Sequence, residues 1–386
     1  MELELVTKEK AFRYNSMQSK VYFSDLKATT KRNLFNKLEE LLEKVEIKSR
    51  IKPHRPVAIK LHFGERGNTA FIRPLFLRVV VDKVKEYKGL PFLTDTTTLY
   101  KGSRSEAVTH LTTAILNGFD YSAVGAPLII ADGIYGNTFV RVKINQQIYK
   151  EVSIAAEIAH ADSLISVAHY KCHELSGFGG TIKNIGMGCA TKEGKLSQHS
   201  NLCPKVDLNL CIGCGDCVRW CPSSAISLSL KNKKAALNPK RCIGCGECLT
   251  ICQQEAIDIQ WDKNMANFQK KMVEYAYGVL KEKKGKAIFI NFITQVSPDC
   301  DCCSFSDAPI IPDVGIVAST DPVAIDQAST DLVNQQPGNS LSKLKSGLSP
   351  GDDKIRGVFP EVDWTIQLHY AQELGLGQRE YELIKI

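Results

Sequence analysis

"VAIKLHFG", residues 57–64, decides the fold. Val57, Ile59 and Leu61 alternate with Lys60 and His62, the period of a strand, and the lysine and histidine share a face. A helical pattern near 74–88 follows. The same succession recurs along the chain: "PFLTDT" (91–96) precedes a helical stretch near 105–117, and "PLIIADG" (127–133) precedes a helical segment near 151–160 and then "SLISVAHYK" (163–171). Further on come a helix over 262–282, "AIFINFIT" (287–294) and "VGIVASTDPVAIDQAS" (314–329). Strands alternating with helices predict an α/β fold with a largely parallel sheet and flanking helices.

The totals fit such a chain. Its 386 residues are 44% hydrophobic and 24% charged, enough for one large domain and a smaller one. No stretch approaches the roughly 18 uninterrupted apolar residues of a membrane helix. The mixed-charge opening "MELELVTKEKAFRYNSMQSK" is not a signal peptide, so a cytoplasmic protein without membrane contact is expected. The net charge of +7 is spread along the chain; with no basic helix or aromatic platform beside it, no nucleic-acid partner is expected. "NLFNKLEELLEKV" is an amphipathic helix, and 334–353 an exposed loop. No G-x-S-x-G elbow, His-Glu-x-x-His pair or EF-hand loop is present.

Fourteen cysteines without an export signal point to metal binding or catalysis rather than disulfides. Eight of them form a repeat. "CIGCGDCVRWCPSSAI" (211–226) and "CIGCGECLTICQQEAI" (242–257) share the spacing C-x2-C-x2-C-x3-C, with every cysteine in register. Gly213 and Gly215, or Gly244 and Gly246, let the backbone turn tightly around an inorganic cube. The fourth cysteine of each unit follows on a short helix and points to the neighbouring cluster. One 4Fe–4S cluster is therefore assigned to Cys211, Cys214, Cys217 and Cys252, and the other to Cys242, Cys245, Cys248 and Cys221. A zinc site has no use for that fourth cysteine. The segment resembles the bacterial two-cluster ferredoxins over about 205–260. It departs from them at Gln253, where the second motif usually carries proline. The expected organisation is an α/β domain in two parts, 1–202 and 261–386, interrupted at 203–260 by a small α+β ferredoxin-like unit.

In an open parallel sheet, ligands gather beyond the carboxyl ends of the strands. Lys60 and His62, His169 and Lys171, Asp95, Asp132 and Asp321 all stand at the ends of apolar runs. They are expected to converge on one rim, although Asp321 before Pro322 also has the form of a helix N-cap. "SGFGGTIKNIGMGCATKEGK" (176–195) matches neither the Rossmann nor the Walker phosphate pattern. Gly179, Gly180 and Lys183 are the candidates for a backbone-amide cradle for an anion.

"KLHFGE", "HYKCHELSGFGGTIKNIGMGCATKEGK", "HSNLCPK", "PDCDC" and "STDPVAID" together resemble the iron–sulfur-centre proteins grouped as DUF362, over roughly 55–330. The resemblance marks Lys60, His62, His169, Lys171, Lys183, Cys189, Cys300, Cys302 and Asp321 as motif positions. Family members more often carry glycine where Cys172 stands. The family implies no reaction.

Cys300, Cys302 and Cys303, in "SPDCDCC" (297–303), follow an apolar strand and are placed at the same rim. If the segment is extended, Cys300 and Cys302 point one way and Asp301 the other. Lysines and histidines nearby would lower the thiol pKa values. Three functions compete. One is an oxidoreductase whose two clusters relay electrons to a site built from Lys60, His62, His169, Lys171, Cys300 and Cys302, acting on an anionic small molecule. Another is a metal or cluster carrier, with an additional metal on Cys300, Cys302 and Cys303. The last is an electron-transfer module. Each implies a redox protein or a small-molecule donor or acceptor as partner.

Overall fold

The computed structural model describes residues 18–200, 203–260 and 264–386; the opening segment and the residues at 261–263, where the cysteine-rich unit was expected to end, lie outside them. Eight strands form the central sheet. In chain order they are β1 (Ser19–Asp25), β2 (Pro56–Lys60), β3 (Leu90–Asp95), β4 (Leu128–Ile130), β5 (Ser163–His169), β6 (Ala287–Ile293), β7 (Gly315–Ser319) and β8 (Tyr381–Lys385). Across the sheet the order is β8-β1-β7-β6-β5-β2-β3-β4. The run from β6 to β4 is parallel, and β7 runs against both its neighbours. The predicted α/β class and largely parallel sheet are therefore present.

Strands buried on both faces need apolar side chains on both. On β6, Ile288, Ile290 and Phe292 enter one core layer, while Phe289 and Ile293 enter the other. The first layer carries helices Leu34–Lys44 and Pro74–Glu86, and the second carries Met265–Lys281 and Pro322–Asn334. Helix starts follow local chemistry: the Asn33 side chain accepts from the amides of Phe35 and Asn36 in a capping box, and Glu106 caps Ala107–Leu116. Among the described residues no helix is long and apolar enough to cross a membrane.

Two expectations need correction. The helix read over 151–160 is a strand, Glu151–Ala155, followed by a helix of one turn or so, Ala156–His160. Val152 and Ile154 are β-branched and buried, and the strand closes a hairpin with Phe139–Lys143. Asp321 does not reach the rim of the other polar residues, because β7 is reversed and ends at the opposite edge. There its carboxylate accepts from the Val323 and Ala324 amides at 2.8 and 2.9 Å and from Ser19 Oγ at 2.6 Å; it is the N-cap.

Residues 203–260 form a small unit with its own apolar cluster, built on Cys217, Ile226, Ala235, Cys248, Leu249 and Ile257. Two short antiparallel pairs, Lys205–Val206 with Ile257–Asp258 and Ile226–Leu228 with Ala235–Leu237, frame it. The sequence repeat is a repeat of backbone geometry. Gly215 and Gly246, at φ 81° and 78°, begin helices Asp216–Arg219 and Glu247–Ile251, a left-handed conformation that only glycine adopts freely.

Candidate active site and cysteine-rich unit

The carboxyl ends of β2, β3, β5 and β6 meet at one rim, and a cavity of ≈ 190 Å³ opens there. Lys60, His62, Asp95, Lys171, Lys183, Cys300 and Cys302 line it, so most of the residues expected at the rim are brought together. Lys60 is buried, with its ammonium 2.9 Å from Asp95 Oδ1 and donating to Asn184 Oδ1 at 3.0 Å. Burial opposes the Asp95 charge, but Lys60 and the cations around it outweigh that and hold its carboxyl well below the usual range.

The thiol loop is a turn rather than an extended strand, closed by the Cys303 amide on the Cys300 carbonyl at 2.9 Å. Cys300 and Cys302 still face the cavity, and Asp301 still points away. Its buried carboxylate lies 2.8 Å from His169 Nδ1 and 3.0 Å from Lys171 Nζ. His169 does not line the cavity. Its second ring nitrogen faces the carbonyl oxygens of Thr294 and Gln295 at 2.9 and 3.2 Å, so it positions Asp301 and has no edge left for a ligand.

The three thiols hydrogen-bond in a chain, and this reverses part of the expected electrostatics. Cys300 is pushed well above the usual thiol value, first by its hydrogen bond to Cys302 and then by burial. Cys302 is also raised: its bond to Cys300 lowers it, but Cys303 and burial prevail. The lowered thiol is Cys303, which takes a hydrogen bond from Cys302 and stands outside the cavity lining. Lys183 Nζ lies 3.4 Å from Cys300 Sγ. Cys172 and Cys189 are fully buried elsewhere, with burial pushing Cys189 up to about 12.

The amide cradle expected at Gly179 and Gly180 is occupied from within. Asp326 accepts from the amides of Thr181 and Ile182 at 2.7 and 2.8 Å, so those donors are spent on the fold. A Cβ on Gly180 would stand 2.4 Å from Asp326 Oδ1, and one on Gly179 would stand 2.9 Å from Lys183 Cδ. At both glycines the missing Cβ permits this close approach.

Sequence reasoning missed Arg104, Glu65, Tyr100, His173 and Lys195. Arg104 is almost fully buried, 3.1 Å from Glu65 Oε2 and 3.6 Å from Asp95 Oδ2. It donates to the Tyr100 hydroxyl at 2.8 Å, which donates in turn to the Cys302 carbonyl at 3.1 Å. Loops far apart in sequence are thus tied to the thiol turn. For Tyr100 and Arg104 the only signal is the polar "TDTTTLYKGSR" at the end of β3, which gives no direction, while Glu65, His173 and Lys195 lie inside the stretches that carry the family resemblance. Asp132 stands behind the site, accepting from the Thr97 amide and hydroxyl at 3.0 and 2.8 Å.

The cysteine-rich unit sits against this rim. Leu99, which lines the cavity, is also part of the unit's apolar cluster. Lys192 donates to Thr250 Oγ1 at 2.7 Å, Asn137 to Glu247 Oε1 at 2.8 Å, and Lys101 to the Cys252 carbonyl. Within the unit, Cys211, Cys214, Cys217 and Cys252 line a single small cavity. Cys221 neighbours Cys242, Cys245 and Cys248. Three sulfurs accept backbone amides: Cys221 from Ala225 at 3.1 Å, Cys252 from Ala256 at 3.3 Å and Cys211 from Ala235 at 3.4 Å. Among the described residues no group of three or more His, Cys, Asp or Glu side chains is placed to hold a single metal ion.

No curated protein matches the chain. Among solved structures, the lactate racemase apoprotein from Thermoanaerobacterium thermosaccharolyticum is similar to it at a TM-score of 0.37 and 11% identity, over 72% of this chain and 51% of that one. The chain thus spans about half the length of that protein. The family described as Domain of unknown function (DUF362) matches residues 57–331, and the chain belongs to it.

Proposed function

We propose that this DUF362 member binds two 4Fe–4S clusters in residues 203–260 and serves as an oxidoreductase, with the lysine- and thiol-lined cavity as the site for an anionic small molecule. The observation that carries the proposal is the crossed cysteine set. Cys252, from the second motif, lines the same small cavity as Cys211, Cys214 and Cys217 from the first. The residues fit such a cluster in two further ways. Backbone amides donate to sulfur, as thiolates bearing delocalised charge require. Apolar side chains, among them Ile226, Leu249 and Ile257, pack against Cys217 and Cys248, the two buried cysteines of the unit.

When bound, such clusters accept and donate single electrons. The chain supplies the rest. Leu99 lies between the cysteine-rich unit and the cavity and belongs to both. Lys171 and Lys183 bring positive charge to a negative ligand, and Asp301 holds Lys171 in place at 3.0 Å. Cys300 and Cys302 border the cavity with thiols raised above the usual value, so they meet a ligand as S–H groups rather than as thiolate nucleophiles. A redox protein or small-molecule reductant is the expected partner.

The test is an anaerobic count of iron, sulfide and other metals per chain, made on the wild type and on a Cys300/Cys302/Cys303→Ser form. Eight irons with eight sulfides in both forms are expected for two 4Fe–4S groups. An iron-free protein, or zinc in place of iron, would overturn the proposal. Extra metal lost only in the triple variant would move the function to metal or cluster carriage.

A further inference from the structure

Two histidines of the cavity lining, His62 and His173, are held at the same ring nitrogen. The Nδ1 of His62 accepts the Gly64 amide at 3.0 Å. The Nδ1 of His173 faces the amides of Leu175 and Ser176 at 3.2 and 3.3 Å. A backbone N–H can only donate, so in both rings Nδ1 is the lone-pair nitrogen. Burial pushes both imidazoles well below their usual value, with Arg104 adding to the effect at His62 and Lys183 at His173. Each ring is then neutral with its proton on Nε2, and an Nε2–H is a donor. Both residues line the cavity.

The charges of the cavity are unevenly matched. Asp95, Glu65 and Asp301 take Lys60, Arg104 and Lys171 respectively, and a further carboxylate of the lining, Glu174, is exposed. Lys195 is engaged by the oxygens of Thr96, Thr97 and Ala190. Among the described residues Lys183 makes no ion pair, and its ammonium meets the Cys300 sulfur. The space of ≈ 190 Å³ is below the roughly 300 Å³ at which pockets for drug-sized ligands begin.

We infer that the cavity binds the carboxylate of a short organic acid, with Lys183 as its counter-ion and the Nε2–H groups of His62 and His173 as hydrogen-bond donors, and that neither histidine is a general base. Lys171 and the thiols of Cys300 and Cys302 then border the rest of the ligand. This rests on the cavity being the substrate site, but not on the clusters.

The experiment is isothermal titration of the full-length, anaerobically purified protein with acetate, malonate and inorganic phosphate, together with 15N spectra of histidine-labelled protein. Acetate or malonate is expected to bind. Lys183→Met should weaken that binding about tenfold or more, as loss of a charge-assisted hydrogen bond does. His62→Phe and His173→Phe should weaken it as well, whereas His→Gln, which keeps a donor, should restore much of it. The spectra should show the Nε2–H tautomer at both rings, and this holds even if a variant fails to fold. Binding of phosphate alone would overturn the carboxylate assignment. Unchanged affinity in folded Lys183→Met, or an Nδ1–H tautomer at either ring, would overturn the binding mode. An iron-free protein that still bound acetate would leave this inference standing while removing the clusters.

Discussion

Asp326 and Asp301 are both buried carboxylates at the rim, and their surroundings push them in opposite directions. Asp301 lies between His169 and Lys171, and although burial opposes its charge, those partners hold it well below the usual range. Its stabilising charge is present above the unfolded value and is lost only in strong acid. Asp326 accepts two amides and Asn291, yet burial dominates and raises it to about 6 from 3.8. A carboxyl raised on folding holds its proton more tightly in the native state. Its contribution to stability is full below 3.8, falls as pH rises and is gone above about 6. Urea unfolding of the wild type should therefore lose roughly 3 kcal/mol from this group across that window. The slope should flatten in Asp326→Asn; an equal slope in the variant would assign the effect to other groups.

At the scale of elements, close helix packing explains a glycine that sequence alone could not. A Cβ on Gly186 would stand 2.2 Å from the Met272 carbonyl oxygen, so helix Thr181–Gly186 crosses Met265–Lys281 backbone to backbone. Gly186→Ala should lower stability by about 1–3 kcal/mol, read as a fall in melting temperature; an unchanged melt would contradict the close crossing. The major strands and long helices were legible because runs such as "AIFINFIT" are apolar over a strand's length and bounded by turns. The hairpin at Phe139–Ala155 was not. "EVSIAAEIAH" joins a β-branched strand to a short helix without a break, and the pairing that separates them is non-local. For the site, Lys60 and His62 were legible because strand alternation gives side-chain direction, and the cysteines because they follow an apolar strand, although they sit on a turn. His169 ends β5, where Asp301 and two carbonyls claim its ring, and Lys171 opens a separate short strand, Lys171–His173. Arg104 and Glu65 lie on loops, where sequence carries no direction. The Gly179–Gly180 segment looked like an anion loop, and the amides just after it, of Thr181 and Ile182, do bind a carboxylate, that of Asp326 in the chain itself.

Over the whole molecule, the cysteine-rich unit is joined to the rim at the loop that shapes the cavity, through Leu99 and Lys101. That arrangement puts residues 203–260 beside the loop that also carries Tyr100, whose hydroxyl reaches the Cys302 carbonyl at 3.1 Å. The proposed function stands on the crossing of the two motifs, and the crossing can be measured directly by electron paramagnetic resonance of the anaerobically reduced protein. Wild type should give the broadened signal of two neighbouring, spin-coupled clusters. Cys252→Ser should perturb the one held by Cys211, Cys214 and Cys217, and Cys221→Ser the one held by Cys242, Cys245 and Cys248. Absence of an iron–sulfur signal from the reduced wild type, or each serine variant disturbing the cluster of its own motif, would contradict it.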